Sequence, residues 1–350
     1  MFGVIFSLQF LFYTIATTTV GYLSSKGFRS LEPLLLIALC VSALCLALIG
    51  HVPTFWALAL VMMCIGTCGG LVEANGTTLL AHYDTSKGGK LVHLSQFFYS
   101  IGAFTAPLVI AFLLYQGQPI TIIGYSTGGL TFVVFLVVFA LLNHPTKTDK
   151  PREVQNESEE VRGFSWSFLL FLALMFLYVI VEISTVSWIP YYMEQRLSIP
   201  SANASIFLTA FWMGLGISRL IYTFINTHRL LLHIGLCIVG IIISLFFVQA
   251  GIFSYEFLLI FILLMGFSCG PIWPLLIELC KQTFHSKHHI MYLISAGSVG
   301  ALVGPFLTSL IYRQVGIGSM LFILLSYTLL MGCSLLVLAA KLSRRERPSY

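Results

Sequence analysis

Apolar runs of about twenty residues, the length a helix needs to cross hydrocarbon, follow one another along the chain. They fall at 1–23, 32–50, 53–80, 92–115, 126–144, 165–190, 204–226, 229–250, 254–280, 288–313 and 317–340. Lipid offers backbone N–H and C=O groups no partners, so such a segment must satisfy its own as a helix. Eleven spans of this kind make an all-α membrane protein. Composition agrees: charged residues are 9% and hydrophobic residues 58% of the 350, against roughly 25% and 45–50% in soluble domains. The net charge of +5 therefore matters through its placement, and does not point to a nucleic-acid partner.

That placement orients the chain. Lys26, Arg29, Lys87, Lys90, Lys147, Lys150, Arg152, Arg162, Arg229, Lys281, Lys287, Lys341, Arg344, Arg345 and Arg347 fall in alternate loops and the tail. The opposite loops hold only Arg196 and Arg313, and Arg219 lies inside a span. Basic loops stay in the cytoplasm, so the tail and the polar stretch NHPTKTDKPREVQNESEEVRG are expected inside. Trp56 and Trp188 near outer span ends, with Trp166 near an inner one, fit the aromatic belts. The first span then runs inward with Met1 outside, and it has neither a basic leader nor a small-residue cleavage pattern.

The two halves repeat each other. IGTCGG (65–70) matches MGFSCG (265–270), with Gly66 and Gly70 standing 200 residues before Gly266 and Gly270. SIGAFTAP (100–107) matches SVGALVGP (298–305) at a separation of 198. Such repeats typify transporters. The halves are a five-span bundle at 1–144 and a six-span bundle at 164–350, joined by a flexible linker at 145–163. Carrying the span at 165–190 back by the repeat distance puts its partner before Met1. The expected architecture is six plus six helices with the first missing.

Two parallel halves with a basic central linker resemble the major facilitator superfamily. The resemblance covers nearly the whole chain. GYLSSKGFRS (21–30) looks like a degraded form of that family's cytoplasmic signature, keeping Gly21, Lys26 and Arg29 but with Ser25 where an acid belongs. Glu73 and Asn75 in their glycine-rich span, YVIVEISTVSWIPYY (178–192) and FWMGLGISR (211–219) resemble the fucose–proton symporter branch, to which sodium-coupled glucose carriers are also similar. The resemblance implies that Glu73 carries the coupled proton and that Gln96, in the helix matching one that supplies amides to the sugar site, binds solute. The branch's second coupling acid lies in the absent first helix.

The polar residues within the spans are the candidate site. An intramembrane carboxylate should face a cavity or a partner. Glu73 shares a helical face with Gly66, Gly70 and Thr77, and glycines permit close helix approach. It is read as the proton-coupling group, with packing by a neutral, hydrogen-bonded acid as the plain alternative. Asn75, Gln96 and Tyr99, with Ser100 on the same stripe, offer the donors and acceptors that sugar hydroxyls need. Glu182, on a stripe with Tyr178 and Thr185, binds solute or ion, or makes a structural hydrogen bond. Trp212 and Trp273 stack on a sugar face or simply pack. Pro271 and Pro274 flank Trp273, and prolines free carbonyls where a helix lines a cavity. Glu278 and Lys281 are read as a surface ion pair. Arg219 is expected to snorkel from an inner helix end, with an interhelix gate clasp as the alternative. Gly102 with Pro107, and Gly300 with Pro305, are expected to let two equivalent helices bend.

Other patterns carry no chemistry. GFSCG (266–270) fits a hydrolase pattern but lies in an apolar helix rather than a strand–turn–helix. HSKHH (285–289) reads as a solvated loop rather than a metal site. NGT and NES are not on the outer side, and NAS (203–205) is a glycosylation acceptor only in a eukaryotic host. The eight cysteines all lie in apolar runs and read as buried thiols. The expected function is secondary transport of a small polar solute, a monosaccharide, coupled to H+ or else Na+. No cofactor, metal, nucleic acid or catalysis is expected, and the chain is read as a monomer of a bacterial inner or plasma membrane. Rival readings are a non-transporting sensor, an inactive truncated carrier, and a carrier of a drug or organic anion.

Overall fold

The computed structural model describes residues 2–26, 31–84, 89–143, 165–225, 227–250, 254–284 and 286–345. Among them every regular element is helical: α1 (Phe2–Ser25), α2 (Leu31–Leu48), α3 (Phe55–Tyr83), α4 (Lys90–Tyr115), α5 (Ile120–Asn143), α6 (Trp166–Leu197), α7 (Ser201–Phe224), α8 (Leu230–Ala250), α9 (Tyr255–Cys269), α10 (Ile272–Phe284), α11 (Lys287–Val315) and α12 (Met320–Arg345). The expected linker at 145–163 lies outside the described residues. Among the described residues nine helical stretches, taking α9 and α10 together, are long and apolar enough to cross a membrane. With α1 and α4, of 24 and 26 residues, they are consistent with the eleven apolar blocks.

Three blocks differ from their sequence reading: the fifth begins at Ile120, six residues before its expected start at 126. The ninth is broken into α9 and α10 at Gly270–Pro271. The sixth continues past residue 190 to Leu197, through Pro190. Hydropathy stops at the polar residues Glu194, Gln195 and Arg196, but Tyr192 and Met193 are buried there. That apolar side is what keeps an amphipathic extension helical. Elsewhere the spans tolerate hydroxyls because these bond back to their own helix. Thr67 donates to the Met63 carbonyl at 2.9 Å, Thr185 to Val181 at 2.7 Å and Thr328 to Leu324 at 2.8 Å.

The described residues group into two compact units. The first draws on Met1–Tyr83, Pro107–Ser165 and Ser286–Ser295, the second on Asp84–Ala106, Trp166–His285 and Ala296–Tyr350. Within the first, α1 packs along α3, and α2 packs against α3 and α5. Within the second, α7 packs along α9, α8 against α9 and α12, and α6 against α7 and α12. The helix pairings therefore repeat with the sequence, α1, α2, α3 and α5 corresponding to α7, α8, α9 and α12.

The repeated glycines explain the pairing. A Cβ at Gly66 would fall on the Gln9 carbonyl of α1, and one at Gly70 on the Tyr13 carbonyl. In the second unit a Cβ at Gly266 would fall on the Phe211 carbonyl of α7, and one at Gly270 on the Leu215 carbonyl and Ser218 hydroxyl. Gln9 and Phe211, like Tyr13 and Leu215, are 202 residues apart. Backbone-to-backbone approach at these points requires residues without side chains.

The expected bending positions are not equivalent. Gly300 sits against α6, where a Cβ would lie 2.6 Å from the Phe176 carbonyl, whereas a Cβ at Gly102 would meet nothing within 4 Å. Both α4 and α11 run unbroken through these glycines and through Pro107 and Pro305, though the side chain of Pro107 lies outside the described residues. Gly300→Ala should therefore cost about 1–3 kcal/mol by overpacking, while Gly102→Ala should gain up to about 1 kcal/mol of helix propensity. Thermal unfolding of the two purified variants reads the difference in sign.

Candidate functional site

The break between α9 and α10 falls at Gly270–Pro271, just before Pro274. Proline has no N–H, so Pro274 cannot bond to the carbonyl four residues back, that of Gly270. Arg219 of α7 takes this freed acceptor, its Nε donating at 3.1 Å. Its Nη1 donates to the Gln96 carbonyl at 3.1 Å and to the Ser100 hydroxyl at 2.8 Å, both on α4. Its Nη2 lies 3.7 Å from Glu182 Oε1 on α6. Two helices, α4 and α6, and the break between α9 and α10 thus meet the guanidinium that α7 carries.

This corrects the expectation that Arg219 snorkels. The residue is 2% exposed, because α7 ends only at Phe224 and the interior supplies acceptors for every arm of the fork. Glu182 is likewise buried and paired. The lone arginine in a span, together with a proline four residues beyond a glycine, was the available signal. Glu278 is a second correction: it is 2% exposed, so its pair with Lys281, at 2.9 Å, is no surface pair. Gly89, with φ of +69°, brings the chain before α4 directly over the Glu278 side chain, which leaves no room for a Cβ there without a shift. Lys281 also donates to the Asp84 carbonyl at 2.9 Å, and Asp84 Oδ2 accepts from the Leu91 N–H at 2.7 Å.

Around Arg219 the expected stripe on α4 divides. Gln96 and Ser100 are buried. Tyr99 is exposed, its ring centroid 6.2 Å from that of the half-buried Trp212. Trp273 is buried on α10. The sequence reading missed His93, one turn before Gln96 and wholly buried. Its ring stacks on Tyr222 at 5.3 Å, and the Tyr222 hydroxyl lies 2.9 Å from His233 Nδ1. Its spacing of three and seven residues from Gln96 and Ser100 was the signal.

In the first unit the candidate residues lie on α3. Glu73 is half-buried, and Thr77 one turn on donates to its Oε1 at 3.5 Å. It shares the face whose glycines rest on α1. Asn75, two positions further, points to roughly the opposite side, so the structure does not bring the two together. Asn75 is 0% exposed. Both atoms of its amide, and the Thr78 hydroxyl one turn later, have no hydrogen-bond partner among the described residues.

The sequence profile of the Major Facilitator Superfamily matches residues 1–294. The chain belongs to this superfamily. It is accordingly a multi-pass integral membrane protein and a transporter of small molecules, not an enzyme. It is 24% identical over 290 residues to the Protein TsgA homolog of Buchnera aphidicola subsp. Baizongia pistaciae, covering 81% of this chain and 72% of that one. With Protein TsgA of Escherichia coli O6:K15:H31 the identity is 26%, covering 73% and 65%. The chain spans about two thirds of the length of these curated relatives. Among solved structures it resembles the superfamily transporter FucP in the outward conformation, with a TM-score of 0.77, 14% identity and 96% and 89% coverage. It also resembles a single-substitution variant of FucP, the Escherichia coli fucose:proton symporter, with a TM-score of 0.74, 17% identity and 96% and 90% coverage. The human organic anion transporter MFSD10 gives a TM-score of 0.74 at 16% identity, with 95% and 82% coverage.

Of the residues resembling the superfamily's signature loop, Gly21 is buried with a would-be Cβ 3.3 Å from the Tyr292 ring of α11. Lys26 Nζ lies 5.7 Å from the Tyr22 ring centroid. Arg29 lies outside the described residues.

Proposed function

We propose that this chain moves a monosaccharide by alternating access between two bundles, 1–144 and 164–350, with a proton coupled through Glu73. Asn75 carries the reading. Burying an unpaired amide costs about 1–3 kcal/mol, and here both of its ends, with the Thr78 hydroxyl beside them, are unmatched by protein among the described residues. A solute rich in hydroxyl groups, each donor and acceptor at once, complements that pair. Gln96, Tyr99, Glu182, Trp212 and Trp273 remain the further solute-binding candidates. Likeness to a fucose:proton symporter supports both the solute class and the ion. Arg219 does not favour an anionic solute, because Glu182 already matches its charge. The loops rich in lysine and arginine, and the tail, face the cytoplasm, and the protein acts as a monomer in a bacterial inner or plasma membrane.

The test is uptake of labelled fucose and glucose into proteoliposomes under an inward proton gradient, with a sodium gradient run in parallel. The proposal expects proton-driven accumulation, and an Asn75→Leu variant with at least about tenfold weaker apparent affinity, as for a lost buried hydrogen-bonding group. Accumulation driven by sodium alone would overturn the choice of ion. Binding without flux would favour a sensor, and neither sugar bound nor moved would overturn the solute class.

A further inference from the structure

We propose that Glu182 is a proton-carrying residue of the transport cycle, acting through Arg219 as a latch on α4. The guanidinium cannot give up its own proton. Buried as it is, it needs a counter-charge, since an isolated charge is strongly disfavoured in such surroundings. Three of its four contacts are neutral: the carbonyls of Gly270 and Gln96 and the hydroxyl of Ser100. The carboxylate of Glu182 supplies the negative charge, at 3.7 Å, longer than the roughly 2.7–2.9 Å of a tight charge-assisted hydrogen bond. Glu182 therefore balances Arg219 electrostatically more than it grips it, and it is the member of the pair that can take up a proton.

A proton on Glu182 removes that balance and leaves a buried cation among neutral acceptors. Arg219 then gains by leaving Gln96 and Ser100 for water, and α4 is released from α7. When the proton departs to the other side, the charge on Glu182 draws Arg219 back. The titratable groups facing the pair are Tyr178 on α6, His93 on α4 and Cys269 on α9. A proton on His93 would add a second positive charge facing Arg219 and act in the same sense, so it needs its own control.

The assignment rests on the transporter reading, and its test needs no solute. Hydrogen–deuterium exchange of the full chain in lipid nanodiscs, at alkaline and acidic pH, reads protection of residues 92–100. Expected for the wild type is protection at alkaline pH and at least about tenfold faster exchange at acidic pH, as local opening becomes easier. Glu182→Gln should exchange fast at both, Glu182→Asp should keep the pH response, and His93→Phe should keep it too. Glu73→Gln should also leave it intact, which separates this latch from the coupling residue of α3. Wild-type protection that is flat with pH would overturn the assignment without any variant, as would a response that survives Glu182→Gln or vanishes with His93→Phe.

Discussion

Arg219→Met is expected to destabilise the protein by about 3–5 kcal/mol, the usual cost of stranding one partner of a buried ion pair. Glu182 would keep its carboxylate inside α6 with its cation gone, and the Gly270 carbonyl freed by Pro274 would lose its donor. Methionine fills most of the volume, so packing alone contributes little. The companion variant Arg219→Met with Glu182→Gln removes both charges. It should recover all but about 1–2 kcal/mol, since replacing a whole buried pair by neutral groups is often close to neutral. Chemical unfolding of the four members of the cycle in one detergent gives the coupling energy directly. A single-variant loss of about 0.5 kcal/mol, the size seen for surface changes, would mean that the carboxylate does not depend on Arg219.

Gly266→Val should be as damaging, and Gly66→Val should match it. Each places a branched side chain where a backbone carbonyl of the neighbouring helix already stands, that of Phe211 in one unit and of Gln9 in the other. Backbone cannot turn aside as a side chain does, so the loss should reach or exceed the upper end of the usual overpacking range, about 3 kcal/mol. Gly76→Val is the internal control. It lies on the same helix as Gly66, with nothing within 4 Å of its would-be Cβ, and should change stability by less than about 1 kcal/mol. Thermal unfolding of the three variants separates helix seating from a general intolerance of valine. Similar losses at Gly66 and Gly76 would contradict the seating role.

How much was legible follows from what each property depends on. Helix type and the placing of apolar blocks depend on length and apolarity, which hydropathy reads directly, and the glycines repeated at 200 residues are those on which α3 and α9 make their close contacts. The misread boundaries lie where tertiary packing overrides composition: the polar end of α6 stays helical because Tyr192 and Met193 are buried. At the site, the residue types were legible but their partners were not. Pro274 announced a freed carbonyl, yet nothing in the order of residues said that Arg219, 51 residues before Gly270, would take it. The same limit applies to Gln96 and Ser100, which share a stripe with Tyr99 in sequence while the structure buries them and leaves Tyr99 exposed. Exposure of Glu278 was misjudged because its cover comes from Gly89, far away in the chain. Helical periodicity fixes which side chains share a face; it does not say what lies opposite.

The most direct test of proton coupling through Glu73 compares the wild type with Glu73→Gln in the same proteoliposomes, measuring gradient-driven accumulation and solute counterflow side by side. A residue that only couples the proton is needed for uphill movement and not for exchange. The predicted result is loss of accumulation with counterflow retained in the variant. Accumulation that persists at the wild-type level after Glu73 is neutralised would contradict it.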